Sequence, residues 1–359
     1  MRGQLQALLR RAASTQGRSK IDIDWDNLSF NLDHHGQEMF CAVWNGPAKG
    51  WEGQLQDYGP LSLMPSAQAL NYGQSIFEGM KARRTAKDRI VLFRPEMNAS
   101  RMKDGARRLC MPEVPQHTFI NAVEETVRAN SEYVPPLGKG ALYIRPLLFG
   151  SGPILGLAPA PSYTFVTYCA AVGSYFKGGQ LKPIDLVVEN KFHRAAPGGM
   201  GGTKAAGNYS AVLQIQRAAN AKGFADVVYL DCKTDAYLEE VSACNIFVVK
   251  GRTIKTPPLT GTILPGVTRD SILQLARKRG YDVKEQPIPV VEALEADEIF
   301  TTGTAVVVSP VGSLTHKGKR RVYGGGVAPT PVGLELYGDL TAIQNEQTGD
   351  HFGWVHPVC

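Results

Sequence analysis

The 359-residue chain has no apolar run approaching the ~18 residues that a membrane span requires, so the sequence offers no spanning helix. Its six cysteines, Cys41, Cys110, Cys169, Cys232, Cys244 and Cys359, include no CxxC pair. Six thiols in a chain this long do not make a disulfide framework, and a reducing compartment fits them better. The seven histidines include the pair His34-His35, but neither HExxH nor a Cys/His spacing suited to zinc is present, and no metal site is expected. Acidic residues are missing from the first twenty positions, which carry Arg2, Arg10, Arg11, Arg18 and Lys20. These five cations account for most of the net charge of +6 and leave a nearly neutral body. Bulk charge therefore gives no support for nucleic-acid binding. Solenoid repeats and low-complexity tracts are absent as well.

With 43% hydrophobic residues, the chain can build more than one compact domain. In the opening "MRGQLQALLRRAASTQGRSK", Leu5, Leu8, Leu9 and Ala12 share one helical face among arginines and small residues. That is the make-up of an organelle transit peptide, and residues 1–20 are expected to be one; a disordered tail has a similar composition. The short, serine-poor arginine helix points to a mitochondrial location, with plastid or cytoplasm as alternatives. Strand-like runs such as "RIVLFRP" and "GALYIRPLLFG" predict a smaller N-terminal domain over 21–177. Within it, "QHTFINAVEETVRANSEYV" has helical spacing and should end before Pro135-Pro136. Residues 178–191 read as a linker, and 192–359 as a larger C-terminal domain. There "ADVVYLD" and "NIFVVKG" predict strands. "SAVLQIQRAANAKG" and "TRDSILQLARKRG" predict helices closed by Gly223 and Gly280.

The chemistry starts from "GGMGGTKAAGNYS", where Lys204 stands among glycines and alanines with no acid beside it. The stretch is not a phosphate loop, because Thr203 separates the lysine from glycine and Ala205 follows it. A lysine in such surroundings loses its proton more easily when buried, and its neutral amine attacks aldehydes. A mobile surface loop has the same composition. In "YLEEVSACNIF", Glu239 and Glu240 enter an apolar strand, where alternation lets one of them point inward and leaves the other solvated. An edge-strand charge pair reads the same way. In "GTILPGVTRDSI", Pro265-Gly266 makes a turn and Thr268 a helix N-cap, a natural seat for phosphate as well as an ordinary helix start. "IFTTGTAVVVSP" breaks at Gly303 and frees the N–H groups of Thr304 and Ala305. A nucleophilic lysine, a lone carboxylate and a phosphate seat together point to pyridoxal 5′-phosphate.

The ordered set "YGQSIFEGMKA", "LYIRPLLFGSG", "GGTKAAGNY", "LEEVSACNIF", "GTILPGVTRDSI" and "TTGTAVVVSPVGS" resembles the branched-chain amino acid aminotransferases, pyridoxal phosphate enzymes of fold-type IV, and is most similar to plant members. The resemblance runs from about Ile21 to the C-terminus. It implies a mixed α/β (α+β) fold with a smaller N-terminal domain, a larger C-terminal one and the active site between them. It further implies Lys204 as the covalent anchor of the cofactor and the catalytic base. Glu240 would face the pyridine nitrogen and Tyr209 the phenolic oxygen. Arg101, the backbone of Val267 and Thr268, and Thr304 would hold the phosphate. Tyr72, Phe77, Tyr143 and Tyr175 would wall the substrate pocket, and Tyr143 with the N–H groups of Thr304 and Ala305 would take the α-carboxylate. Arg145 would admit the second carboxylate of 2-oxoglutarate. Leu155 and Leu157 would reach into a partner subunit's pocket, which makes a homodimer the expected assembly.

Three positions, in two features, depart from the family. Val306 and Ser309 stand where animal members carry a CxxC redox pair, and Ala243 stands where relatives often place a hydroxyl. The implied reaction moves an amino group between leucine, isoleucine or valine and 2-oxoglutarate, reversibly. One methylene is worth only about 1–3 kcal/mol of discrimination, so methionine or its chain-extended 2-oxo acids form the alternative substrate class. D-amino acids, lyase chemistry on a chorismate product, and a cofactor-carrying protein without turnover are further readings. "FEGMK" and "YIRP" favour the branched-chain L-substrates, and an intact lysine and carboxylate argue against loss of turnover.

Overall fold

The computed structural model describes residues 22–173, 181–326 and 330–359. The transit-peptide stretch 1–20 and Tyr175 lie outside the described residues. Alternating runs in the first half form one antiparallel sheet. Its strands are β1 (Glu38–Trp44), β2 (Trp51–Asp57), β3 (Ser75–Phe77), β4 (Met80–Arg84), β5 (Ile90–Phe93), β6 (Ala141–Gly150) and β7 (Tyr163–Val172). The last strand of the chain, β17 (Val355–Pro357), completes the order β17-β5-β4-β6-β7-β1-β2, with β3 paired to β6. A short helix α1 (Gln68–Tyr72) precedes β3, and α2 (Pro95–Arg108) and α3 (Gln116–Ala129) follow β5. Met102, Ala106, Phe119 and Val123 of those helices pack with Leu142, Ile144 and Phe165 of the sheet.

Helix α3 stops earlier than Pro135 requires, and one 3₁₀ turn, Ser131–Tyr133, follows it. The cause is Asn130. Its fully buried side-chain amide donates to the carbonyls of Thr126 at 2.8 Å and Glu38 at 2.9 Å, so a tertiary bond ends the helix before the prolines can.

The second sheet holds β8 (Ile184–Val188), β9 (Asp226–Leu230), β10 (Leu238–Val241), β11 (Asn245–Lys250), β12 (Thr253–Thr256), β13 (Asp282–Glu285), β14 (Glu298–Gly303), β15 (Val307–His316) and β16 (Lys319–Val322). Its path is β10-β9-β8-β15-β14-β11-β12-β13, and the β10–β11 pairing closes six of these strands into a ring. Leu186, Val228, Val241, Ile246, Ile299 and Val311 form one core cluster there. Helices α4 (Ala206–Ser210), α5 (Leu213–Asn220), α6 (Val267–Lys278), α7 (Val290–Leu294) and α8 (Pro331–Gln344) surround it. Ile272 of α6 and Leu336 of α8 pack with the Phe247–Phe300 stack, whose centroids are 4.9 Å apart. Gly223 and Gly280 take left-handed φ values of 86° and 76° just past α5 and α6, as the sequence predicts.

Two boundaries differ from the sequence reading. Residues 184–188, inside the expected linker, form β8, which runs parallel to β9 and β15 in the closed ring. The flanking glycine, lysine and proline mask this short apolar run. The C-terminal residues return to the first sheet as β17 rather than staying with the second. The two sheets touch where the Phe77 N–H donates to the Lys204 carbonyl at 3.1 Å and Ile76 bridges Ala205.

Candidate active site

That junction fixes Lys204 in space. The glycines before it pack against the 260–262 loop: a Cβ on Gly201 would lie 2.2 Å from the Thr262 carbonyl oxygen, so only glycine fits. The Lys204 ammonium then sits 4.8 Å from the centre of the Phe77 ring and 5.0 Å from that of Tyr209, and donates to the Tyr209 hydroxyl at 2.9 Å. Phe77 and Tyr209 meet edge to face at 4.8 Å. Burial, helped by the charge of Arg101, lowers the Lys204 pKa to about 8, and burial pushes the Tyr209 phenol up to about 12. The setting is a half-buried aromatic slot.

Glu240 is 2% exposed and lies at the ring closure, between β9 and β11. It accepts from the Leu264 N–H at 3.2 Å and is ion-paired with Arg194, whose side chain is 1% exposed. Burial pushes its carboxyl up to about 7 against the pull of Arg194. Asn245 donates to Glu240 and, at 3.0 Å, to the Leu264 carbonyl, which ties the carboxylate to the turn before α6. Glu239 departs from its expectation. It is not solvated: it is 9% exposed, its Oε2 has no hydrogen-bond partner, and burial raises its pKa. The register of β10 shifts between Leu238 and Val241, so simple alternation fails there, and all four residues of the strand are buried.

Arg101 does not stand free. Its Nε and Nη2 donate to the two carboxylate oxygens of the fully buried Glu78 at 2.7 and 2.6 Å, and its Nη1 donates to the Pro265 carbonyl at 2.9 Å. Three of the five guanidinium N–H groups are used, and two remain for a ligand. Near it, the first residues of α6 and the turn after β14 face a cavity lined by Lys81, Arg83, Asn98, Val267, Thr268 and Thr304, with no acidic residue in its wall. Helix α6 begins at Val267 with Gly266 as N-cap, so Thr268 is its second residue rather than its cap. Cations, hydroxyls and a helix N-terminus without a counter-acid fit a phosphate group.

The opposite side is aromatic and carries one cation. Arg145 lies 4.8 Å over the Phe77 ring and 5.4 Å from that of Tyr143, donates to the Tyr143 hydroxyl at 3.4 Å, and leaves its buried Nε without a partner. A Cβ on Gly79 would come within 2.2 Å of the Tyr143 oxygen, which explains the glycine of "FEGMK". Phe30 meets Tyr143 edge-on at 5.2 Å. Tyr72 belongs to an exposed patch instead: its hydroxyl donates to the Leu155 carbonyl at 3.2 Å, and Leu155 and Leu157 are 90% and 83% exposed. The turn Thr304–Val306 closes the site. Val307 after it has φ 62°, a strained value for a β-branched residue. Glu78, Arg194, Asn245 and Phe30 escaped the sequence reading. No local pattern marks them; their partners lie 5 to 113 positions away in the chain. Among the described residues no cluster could hold a metal ion, and no helix is long and apolar enough to cross a membrane.

Fold and site together define a pyridoxal 5′-phosphate-dependent transferase. The amino-transferase class IV family matches residues 75–314. The chain is 53% identical to the chloroplastic branched-chain-amino-acid aminotransferase 3 of Arabidopsis thaliana, over 97% of this chain and 84% of that one. It is 47% identical to the mitochondrial branched-chain amino acid aminotransferase 1 of Humulus lupulus, over 93% and 84%. It is 41% identical to a methionine aminotransferase of Arabidopsis thaliana, over 95% of both. Among solved structures, the branched-chain amino acid aminotransferase of Escherichia coli superposes with a TM-score of 0.76 at 28% identity, covering 92% of this chain and all of that one. The T.th. branched-chain amino acid aminotransferase with pyridoxamine 5′-phosphate gives 0.75 at 27%, covering 89% and 98%. The chain belongs to the branched-chain-amino-acid aminotransferases of the class IV amino-transferase family.

Proposed function

We propose that the enzyme transfers the amino group of leucine, isoleucine or valine to 2-oxoglutarate, reversibly, and that the residues assembled around Lys204 carry the reaction. The setting of Lys204 supports this most: an amine of lowered basicity between two aromatic rings, with a buried carboxylate on one side and an acid-free anion seat on the other. When bound, pyridoxal 5′-phosphate supplies the carbon that receives the amino group and a ring that withdraws electrons. Lys204 anchors it, and its amine, neutral above about pH 8, takes the substrate's Cα proton. Tyr209 bonds the phenolic oxygen. Glu240, steadied by Arg194 and Asn245, keeps a proton on the ring nitrogen. Arg101 with its two spare N–H groups, the N–H groups of Val267 and Thr268, and Thr304 hold the phosphate.

Phe77 and Tyr143 bound the substrate, whose α-carboxylate goes to Tyr143 and the N–H groups of Thr304 and Ala305. Among the described residues Arg145 has no carboxylate partner. It is suited to the second carboxylate of 2-oxoglutarate and leaves the remaining walls apolar for aliphatic chains. Tyr72, Leu155 and Leu157 form an exposed apolar patch that suits a homodimer in which each subunit completes the other's pocket. Two domains divide near residue 177, with the site between them. The arginine-rich opening suits an organellar location, and its low serine content favours the mitochondrion; a fluorescent fusion of residues 1–20 that stays diffuse in the cytosol would reject it.

Lys204→Ala is expected to abolish covalent cofactor attachment and stable turnover, while Lys81 substitution leaves the attachment intact. Borohydride reduction and peptide mapping test this, and a label on any other lysine refutes the assignment. A steady-state panel of amino donors separates the branched-chain reading from methionine preference.

A further inference from the structure

Lys81 lies on β4, two positions before Arg83 on the same strand face, and its side chain crosses from the first sheet to the turn after β14. There its Nζ donates to the Ala305 carbonyl at 2.7 Å. No carboxylate lies within ion-pair reach of it among the described residues, and burial, reinforced by the charge of Arg83, holds its pKa well below the ordinary lysine value. A half-buried lysine with no counter-ion and a single backbone oxygen as hydrogen-bond partner is a costly arrangement that points to a use for that oxygen. The turn it grips needs holding. Thr304 and Ala305 donate their N–H groups to no partner among the described residues, and Val307 sits at a φ that its branched side chain disfavours.

We infer that Lys81 is a positioning residue that clamps the Thr304–Ala305 turn through the Ala305 carbonyl and so presents its free N–H groups to the substrate's α-carboxylate. The inference rests on the proposal that this turn receives that carboxylate. Carboxylate binding thereby depends on a side chain of the first sheet although the receiving N–H groups belong to the second. Lys81 forms no covalent bond to the cofactor, although its side chain also lines the anion cavity, so in cofactor-saturated enzyme its loss should weaken carboxylate recognition and spare the covalent attachment through Lys204.

The test compares two ligands on the holoenzyme by calorimetry. 4-Methylvalerate has the leucine side chain and carboxylate but no amino group. Isoamylamine has the same chain and an amino group but no carboxylate. Lys81→Met keeps the aliphatic stem and removes the donor, and Lys81→Arg keeps a donor. The expected result for Lys81→Met, in enzyme saturated with pyridoxal 5′-phosphate, is about ten-fold weaker 4-methylvalerate binding, the order that a lost charged hydrogen bond is worth, with isoamylamine affinity unchanged. Lys81→Arg should recover most of the loss. Unchanged 4-methylvalerate affinity in Lys81→Met overturns the inference. So does an equal loss for both ligands, which would mark Lys81 as merely structural. Failure of the unsubstituted enzyme to bind 4-methylvalerate overturns the carboxylate reading of the turn itself, and the inference with it.

Discussion

At the residue scale, Glu239 and Glu240 are chain neighbours with opposite expectations. Glu240 neutralises a guanidinium that is almost entirely enclosed, and Glu240→Gln strands that cation. Removing one partner of a buried pair costs about 3–5 kcal/mol, so the variant should unfold at markedly lower denaturant concentration as well as slow the chemical step. Urea titration and single-turnover kinetics with leucine measure the two effects. Glu239 is buried with one oxygen unpaired, and its folded pKa lies above the ordinary carboxylate range. Its protonated form therefore favours the fold, and its contribution to stability falls as the pH rises through the ordinary carboxylate range towards that folded pKa. Glu239→Gln should melt at the same temperature as the parent enzyme or higher at pH 8, with the difference fading towards pH 4. A lower melting temperature at pH 8 would show that the charge is used. An inward carboxylate was legible in the sequence because an acid in an apolar strand demands a partner, and the family resemblance singled out Glu240 of the two. That partner was not legible: Arg194 lies 46 positions away in an undistinguished loop. The solvated reading of Glu239 failed because alternation assumes one wet face, and a strand inside a closed ring with a shifted register has none.

At the scale of elements, the helices were legible where their ends are local. Gly223 and Gly280 close α5 and α6 by backbone geometry that the sequence states outright. Helix α3 ends for a tertiary reason, and its end was therefore misplaced. The strand β8 was missed because five residues between turn-rich flanks look like linker until their partners are known. The return of β17 was equally hidden, since its pairing with β5 joins residues more than 260 positions apart. Trp354, just before β17, is 5% exposed, stacks on Phe352 at 4.1 Å and lies 5.0 Å from the Arg94 guanidinium. Trp354→Ala should cost about 3–5 kcal/mol of stability, the range for a large core truncation, and equilibrium denaturation would show it. A loss under about 1 kcal/mol, the scale of an ordinary surface substitution, would mean that the C-terminal strand is not held by this residue.

For the whole molecule, the exposed Leu155–Leu157 loop is the feature that one chain does not explain. Exposed apolar residues of this kind fit the interface of the proposed homodimer. Leu157→Asp is expected to shift the protein towards monomer in sedimentation velocity and to lower kcat/KM by about ten-fold or more, since burying an unpaired charge at an interface costs several kcal/mol. An unaltered sedimentation coefficient would remove this loop from the assembly.

The placement of β17 also sets a schedule. A ribosome delivers the chain from its N-terminus, and domains generally fold as units as they emerge. Here the first sheet cannot be finished in that order, because the strand that covers its β5 edge is made only after every strand of the second sheet. Throughout synthesis of the second sheet, β5 stays an open edge able to pair with another nascent chain. Completion of the amino-terminal half thus waits on the carboxyl-terminal half, and the time at greatest risk of aggregation is the interval before residues 355–357 dock.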